Sequence, residues 1–121
     1  MNGSRTKISI DSATALMEFR NFKRSNTEVY VTQHSDCLEA NMYLFDNKIA
    51  RYVSDELGRI TLQITNAGWP TVTTKDRLNA LPNILIYQKN KKWYLNHELW
   101  DGEWITVKEN DRLMVNSINT N

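Results

Sequence analysis

The side chains of this chain best suited to chemistry are aromatic, hydroxyl-bearing and basic ones between residues 68 and 96. Threonine hydroxyls beside the free backbone N–H groups of a helix start can hold an anion, and aromatic rings can stack on nucleic-acid bases. This combination predicts one phosphate-contacting surface. Its members would be Trp69, Thr73, Thr74, Lys75, Arg77, Lys89, Lys91, Lys92 and Tyr94. The alternative is a solvated basic face, which is typical of charged segments.

Trp69 stands between Gly68 and Pro70, so the sequence places it in a loop. A loop tryptophan either anchors its loop to the core or serves as an interface hot spot. Lys75 and Arg77 fall in the first turn of the helix predicted to follow, where the helix dipole disfavours cations. We therefore expect these three side chains to be exposed and to project together.

The sequence does not indicate a group of residues spaced for catalysis or for metal binding. His34, His97 and Cys37 are not spaced as zinc ligands, and nothing in the sequence orients a cysteine nucleophile. The carboxylate pairs Asp55-Glu56 and Asp101 with Glu103 flank turns, where charged residues are expected for other reasons. The four glycines form no phosphate-binding loop. We predict a protein that is not an enzyme and has no cofactor.

Composition bounds the class of protein. The chain has 121 residues, of which 40% are hydrophobic and 24% charged, values typical of one globular domain with its own core. A single cysteine excludes an internal disulfide and favours a reducing cytoplasm. No apolar run approaches the length of a membrane span, and the N-terminus carries no signal-type hydrophobic segment.

The net charge of +1 conceals an alternation along the chain. Residues 59–92 contain six basic side chains and one acidic one, whereas residues 35–58 and 93–121 each contain two basic and five acidic ones. A protein that coats nucleic acid is basic throughout, and a DNA mimic is strongly acidic. The sequence fits neither class and indicates a bipolar molecule.

The first half of the chain predicts a helix followed by strands. Asp11 is placed to cap the helix, and Ile10 to pack on Ala15 as a hydrophobic staple. The helical period continues to Phe22, and Ser25-Asn26 ends the helix. Alternating apolar residues then predict an antiparallel meander of four strands, with turns at Asp46-Asn47 and Leu57-Gly58. The strands cover residues 27–33, 38–45, 49–53 and 59–65.

The second half predicts a short helix and an aromatic hairpin. Thr73 or Thr74 caps the helix, with Asp76 in the capping-box position, and Pro82 stops it. Residues 83–88 and 92–95 pair across a turn at 89–91, and a second hairpin turns at Asp101-Gly102 into a strand over 103–107. Apolar residues between 113 and 118 indicate a last short helix. Trp93, Trp100 and Trp104 are expected to cover this sheet as core, with an interface role as the alternative.

The predicted architecture is therefore α+β: an N-terminal helix, a four-stranded antiparallel meander, a short helix and a C-terminal aromatic hairpin. Residues 1–121 form a single domain, in which 1–6 and 116–121 are expected to be flexible.

Two segments resemble a group of small bacteriophage proteins. They are the run Gly-Trp-Pro-Thr-x-Thr-Thr-Lys-x-Arg-Leu-Asn-Ala-Leu at 68–81 and Lys-Trp-Tyr-Leu-Asn at 92–96, the latter followed by Trp-Asp-Gly at 100–102. The segment Met-Tyr-Leu-Phe-Asp-Asn-Lys-Ile-Ala at 42–50 is also similar, and the resemblance covers residues 11–107. It implies phage origin and a single domain, and it implies no mechanism. Phage origin and the single cysteine together predict the host bacterial cytoplasm as the location.

Two functions of different classes follow. One is a protein–protein inhibitor that docks on a host nucleic-acid-processing or defence complex, in the manner of an anti-CRISPR protein, through complementary charged patches. The other is a nucleic-acid-binding accessory protein that uses the basic segment 69–92. Phosphate binding weakens steeply with ionic strength, so salt dependence distinguishes them. The phage resemblance favours the inhibitor.

Overall fold

The computed structural model describes residues 6–111, with side chains described as far as residue 107. This part of the chain contains two helices and nine strands, so the predicted α+β class is confirmed. The helices are α1 (Lys7–Met17) and α2 (Val72–Asn79). The strands are β1 (Phe22–Arg24), β2 (Thr27–Gln33), β3 (Cys37–Leu44), β4 (Asn47–Asp55), β5 (Arg59–Ile64), β6 (Ile86–Lys89), β7 (Lys92–Leu95), β8 (Glu98–Leu99) and β9 (Ile105–Asp111).

The strands form two antiparallel sheets. The larger has six strands in the order β1-β2-β3-β4-β5-β9, and the smaller has three in the order β6-β7-β8. Strands β1 to β5 follow one another along the chain, and β9 returns after the smaller sheet to pair with β5. The four predicted strands are present as β2 to β5. The prediction of a four-stranded sheet is wrong, because one further strand is added at each edge.

Helix α1 begins earlier than the sequence predicts. Thr6 caps it, since the Thr6 hydroxyl oxygen accepts a hydrogen bond from the Ser9 backbone N–H at 3.3 Å. The prediction of Asp11 as the cap is therefore wrong. Asp11 lies inside the helix and forms ion pairs with Lys7 at 3.2 Å and Arg24 at 2.7 Å.

Helix α1 also ends earlier, at Met17. Phe19 adopts a left-handed backbone conformation and packs its ring 5.1 Å from that of Tyr52. Phe22 lies in β1, opposite Val29 of β2. The helical spacing of Phe19 and Phe22 gave the wrong element, because pairing with β2 satisfies the backbone of residues 22–24 and tertiary contacts override local pattern.

The turn between β3 and β4 lies one residue before the predicted position. Phe45 and Asp46 are its two central residues, with φ of 49° and 67°, and Asn47 already belongs to β4. Positive φ at both central residues is the type I′ geometry that suits the twist of a hairpin. The sequence favoured Asp46-Asn47 because both of these residues tolerate positive φ and phenylalanine does not.

A β-bulge interrupts the alternation of buried and more exposed side chains in β4. Met42 lies opposite Ala50, whereas the next residue, Tyr43, lies opposite Lys48. Ile49 is therefore the extra residue on β4, and both Ile49 and Ala50 are buried.

The core lies between one face of the larger sheet, the two helices and the inner face of the smaller sheet. Buried side chains from all of these elements form one continuous cluster. They include Leu16, Met42, Leu62, Ile64, Leu78, Ile86, Trp93, Leu95 and Trp100. The core role expected for Trp93 and Trp100 is confirmed, but Trp104 is 46% exposed and does not share it.

Helix α2 begins at a different threonine from those predicted. The Thr71 hydroxyl oxygen accepts the Thr74 backbone N–H at 3.1 Å, so Thr71 is the cap. Thr73 and Thr74 lie in the first turn, and Asp76 is not in a capping box. Arg77 consequently lies in the last turn, where the helix dipole favours a cation.

The smaller sheet contains the predicted β6–β7 pairing, although β6 begins at Ile86. The next hairpin turn is at Asn96 and His97, which have positive φ and lead into β8. The predicted hairpin at Asp101-Gly102 is wrong. Strand β9 pairs with β5 instead, and the Gly102 carbonyl accepts hydrogen bonds from the chain just after β5.

The predicted flexible ends fall mostly outside the described residues, as does the helix predicted between 113 and 118. Thr6, which was expected to be flexible, caps α1. Within residues 6–111 no helix has the length and apolar composition needed to cross a membrane.

Candidate functional site

A cleft lies between the β3–β4 turn and the loop that precedes α2. We call it the Phe45–Trp69 cleft, after the two aromatic residues at its mouth. It encloses about 460 Å³, and Phe45 and Trp69 are 66% and 60% exposed. Buried Leu44 and Ile49 give it an apolar base. The full lining is Leu44, Phe45, Asn47, Ile49, Asn66, Ala67, Trp69, Thr71, Thr73 and Thr74.

Hydrogen bonds on both sides of Trp69 fix its backbone. The Trp69 N–H donates to the Asn66 carbonyl at 2.9 Å, and the Asn66 side-chain oxygen accepts the Gly68 N–H at 2.8 Å. The Trp69 carbonyl accepts the Thr71 N–H at 2.8 Å and the Thr74 hydroxyl at 2.9 Å. The exposed indole is thus carried by a backbone with defined hydrogen bonds on both sides, and such a preformed loop lowers the entropy lost on binding.

Phe45 is exposed in a backbone conformation that suits it poorly. A bulky residue with positive φ is an outlier, and asparagine or glycine is preferred in this turn. The Phe45 N–H donates to the Asn26 carbonyl at 2.8 Å, and the Asn47 side chain donates to the Phe45 carbonyl at 3.2 Å. Because the ring is 66% exposed, its burial contributes little to folding. Strain at an exposed apolar residue indicates a functional reason for the residue.

A second surface lies on the hairpin formed by β6 and β7. We call it the lysine hairpin face; it carries Tyr87, Lys89, Lys91, Lys92 and Tyr94. The two tyrosine rings stack with centroids 5.5 Å apart and planes 10° apart. The lysines are exposed, and Lys89 lies directly opposite Lys92. The buried Trp93 and Leu95 alternate with Lys92 and Tyr94 along β7, so these two groups point to opposite sides of the sheet.

Arg77 is not on either surface. It is 5% exposed, and its guanidinium donates to the hydroxyls of Thr27 and Ser9, both at 2.8 Å. It also donates to the Asn26 side chain at 3.1 Å and to the Asp76 carboxylate at 3.2 Å. Burial lowers the pKa of Arg77, and Asp76 acts in the opposite direction. The arginine links α2 to α1 and to the start of β2, which is a structural role.

A polar network crosses the face of the larger sheet that is opposite the core. One Glu39 carboxylate oxygen accepts the Arg51 Nε–H at 2.7 Å, and the other lies 2.7 Å from His34 Nε2. Asn41 also donates to Glu39, at 3.2 Å. Burial raises the pKa of Glu39, but these hydrogen bonds and the Arg51 charge outweigh burial and hold it at about 2, below its ordinary 4.5.

The carboxylates considered as catalytic pairs have local structural partners. Asp55 accepts the Leu57 and Arg59 backbone N–H groups at 2.9 and 2.8 Å, and these bonds with the Arg59 side chain lower its pKa despite opposing desolvation. Asp101 accepts the Glu103 N–H at 3.0 Å.

Burial raises the pKa of the Cys37 thiol, which disfavours the nucleophilic thiolate. In the described part of the chain, no three histidine, cysteine or carboxylate side chains are grouped as metal ligands.

The sequence matches a phage protein family, described as the Kyanoviridae Gp96 protein, over residues 5–116. The chain belongs to the Kyanoviridae Gp96 family. This confirms that the chain comes from a phage protein family, as the sequence resemblance implies. Comparisons with curated proteins and with solved structures gave no match.

In this family member, the predicted binding residues are divided among four places, one of which is the buried site of Arg77. Trp69, Thr73 and Thr74 line the cleft, although Thr74 is buried. Lys89, Lys91, Lys92 and Tyr94 lie on the lysine hairpin face. Lys75 places its ammonium 5.7 Å from the centre of the Trp93 ring, on the core side of that hairpin. The exposure expected for Trp69 is confirmed. The exposure expected for Arg77 is wrong, because its guanidinium is surrounded by three acceptors distant in sequence and by the neighbouring Asp76 carboxylate.

Sequence reasoning missed Phe45 and Tyr87. The signal for Phe45 was a phenylalanine beside the best turn residues of the meander. The turn was placed one residue late, which assigned Phe45 to a strand. Tyr87 lies in the predicted strand 83–88, but Lys89 was assigned to the turn that follows it. In the structure the strand includes Lys89, and period-two alternation along it places Tyr87 and Lys89 on the same face.

Proposed function

We propose that this phage protein is a non-catalytic binding protein that docks on a host protein through the Phe45–Trp69 cleft. The observation that carries the proposal is the pair of aromatic side chains, each at least 60% exposed, on either side of an apolar cleft. Tryptophan and other large aromatic side chains dominate the energetics of protein interfaces when a partner desolvates them.

The chemistry of the cleft defines the partner. Its base is apolar and its rim carries Asn47, Thr71 and Thr73, which are neutral hydrogen-bonding side chains. A protruding apolar side chain of the host protein fits such a cleft, with backbone groups of the partner meeting the polar rim. Neutral lining residues make binding depend little on salt, in contrast to phosphate binding.

The proposed consequence is inhibition by covering a host surface. The sequence predicts that the protein is not an enzyme, and a protein of that kind acts on a host complex by occupying it. The target class that the sequence favours is a nucleic-acid-processing or defence complex, as for an anti-CRISPR protein. The support is the phage family and the cleft; the activity of the purified host complex, with and without this protein, tests the inhibitory step.

The test of docking is capture of a host protein from a lysate of the bacterial host, followed by titration with the purified partner. Trp69→Ala should weaken binding about 30-fold or more, the loss typical of a hot-spot residue. Trp104→Ala is the matched control, because it removes another exposed tryptophan outside the cleft. Phe45→Asn should weaken binding while leaving the fold as stable or more stable, because asparagine tolerates positive φ.

The proposal requires a host protein that both cleft variants release and that the Trp104 variant retains. If every captured host protein binds the wild type and both cleft variants equally, the cleft is not a docking site.

A further inference from the structure

The turn of the lysine hairpin face concentrates positive charge at a cost to the fold. Lys89 and Lys92 are directly opposite each other in the ladder, and like charges in that position are destabilising. Among the side chains that the structure describes, no carboxylate lies within ion-pair distance of Lys89, Lys91 or Lys92. The repulsion is therefore not relieved by described neighbours.

The turn itself adds a second unfavourable choice. Asn90 and Lys91 have φ of 54° and 66°, so lysine occupies a left-handed position where glycine is preferred. Asn90 is well suited to its position, whereas Lys91 adds strain and a third cation. Both features are explained if the three ammonium groups meet an external anion.

Two tyrosine rings lie beside the lysines, which indicates a ligand that has an aromatic or apolar part as well as an anionic group. Tyr87 lies opposite Tyr94, and each is two residues from a lysine on the same strand. Side chains two residues apart share one face of a strand and are separated by about 7 Å. The face therefore presents two half-buried rings next to two ammonium groups. The Tyr87 hydroxyl lies 3.2 Å from His97 Nδ1, which helps to fix the ring.

We infer that the lysine hairpin face binds single-stranded nucleic acid, with the three lysines contacting phosphates and Tyr87 and Tyr94 contacting bases. Unpaired bases can reach aromatic rings, while the bases of a duplex are already stacked on one another. No residue that lines the Phe45–Trp69 cleft belongs to this face, so the inference is independent of the proposed docking on a host protein.

The experiment measures fluorescence anisotropy of a labelled single-stranded DNA of about 12 nucleotides, a length within the usual site sizes. The full chain should bind it, with affinity that falls steeply as salt rises. Lys89→Gln with Lys92→Gln should weaken binding about tenfold at low salt. It should also flatten the slope of log K against log salt by about 1.4, since each phosphate contact to a single strand contributes about 0.7.

The matched control is Lys7→Gln with Lys23→Gln, which removes two exposed lysines that lie in surface ion pairs elsewhere. It should leave the slope nearly unchanged, as should Trp69→Ala. Tyr94→Leu keeps an apolar side chain at the position but removes the ring, and we expect about tenfold weaker binding. Tyr94→Phe should retain the wild-type affinity.

Three results would overturn the inference. The first is failure of the wild type to bind the DNA at low salt. The second is an unchanged salt slope in the Lys89 and Lys92 double variant. The third is displacement of the DNA by polyglutamate as effectively as by unlabelled single-stranded DNA of equal charge, which would assign the face to an acidic polypeptide.

Discussion

At the scale of single residues, Arg77 shows how a side chain that resembles a surface cation becomes part of the core. Its guanidinium carries five N–H donors in one plane. The fold supplies acceptors from α1, from α2, and from the turn before β2 and the first residue of β2. The Asp76 carboxylate completes the arrangement by accepting the Ser9 hydroxyl at 2.5 Å and the Thr6 hydroxyl at 2.7 Å. Two helices are joined in this way through neighbouring residues of opposite charge.

We predict that Arg77→Met destabilises the protein by about 3 kcal/mol, because the buried acceptors lose their guanidinium donor and Asp76 loses its neighbouring positive charge. Arg77→Lys should also destabilise it, since a single ammonium cannot reach the same set of acceptors. Lys75→Glu should cost about 1 kcal/mol or less, the value of a partly exposed cation–π contact. Urea unfolding of the three variants checks this order. Equal stability of the Arg77→Met variant and the wild type would contradict the structural role of Arg77.

Glu39 gives a pH-dependent prediction. A pKa that is lower in the folded state than in the unfolded state adds stability above the unfolded value, and this contribution disappears as pH falls from 4.5 towards 2. With solvent screening we expect about 1–2 kcal/mol from this carboxylate. Glu39→Gln should therefore reduce stability at neutral pH and flatten the loss of stability over that acid range. Glu18→Gln, which removes a carboxylate from an exposed surface pair, serves as the control. If the stability of the wild type and of Glu39→Gln falls equally between pH 4.5 and 2, Glu39 does not have the lowered pKa.

At the scale of elements, Gly102 shows that the right residue was singled out for the wrong reason. The sequence read Asp101-Gly102 as a hairpin turn. The structure has Gly102 at φ 88°, with its carbonyl accepting the Thr65 hydroxyl at 2.6 Å and the Asn66 N–H at 2.9 Å. A Cβ on Gly102 would overlap the Asn66 side-chain amide, which is itself bonded to the Gly68 N–H. The glycine therefore permits a close approach between the end of β5 and the entry to β9.

We predict that Gly102→Ala costs about 2–4 kcal/mol, from left-handed strain and displacement of the buried Asn66 amide. Gly68→Ala is a matched control, because Gly68 has φ 80° and open space around its Cβ position. Its cost should be about 1–2 kcal/mol, from backbone strain alone. Thermal and urea unfolding would measure both variants, and equal costs would show that the close approach to Asn66 is unimportant.

The elements that the sequence predicted well are those defined by local pattern. Strand β2 has the predicted bounds, and β5 and β7 follow clean alternation or a clear turn. Errors arise where a local preference meets a distant partner. Residues 22–24 leave the helical pattern to pair with β2, and Phe45 accepts a turn conformation that asparagine would adopt more easily. A single sequence carries little information about such contacts.

At the scale of the whole molecule, the pairing of β5 with β9 decides the architecture. About forty residues separate the paired strands, and α2 and the smaller sheet lie between them in sequence. The turn residues Asp101-Gly102 predicted that the strand after them would pair back in a hairpin. Such local features carry no information about pairing with a strand that is distant in sequence. The candidate site was divided for the same reason. Its residues are close in sequence, but α2 buries Arg77 while the loop before it exposes Trp69.

This connection implies that the two sheets unfold together. The Asn79 side chain accepts the Ile86 N–H at 2.7 Å and donates to the Ile86 carbonyl at 2.9 Å, which ties β6 to α2. Trp93 and Trp100, with rings 6.2 Å apart, belong to the same buried cluster as the residues of the larger sheet. A shared core and a returning strand leave neither sheet with a complete core of its own.

We therefore predict one cooperative transition for the whole chain. In a variant with Trp69→Phe and Trp104→Phe, the remaining fluorescence comes from Trp93 and Trp100 in and beside the smaller sheet, while far-ultraviolet circular dichroism reports both helices and the larger sheet. The urea midpoints from the two signals should coincide, as they do for a two-state domain. A fluorescence transition at clearly lower urea would show that the smaller sheet unfolds first, and the single-domain prediction would then be wrong, since each sheet would have its own stability.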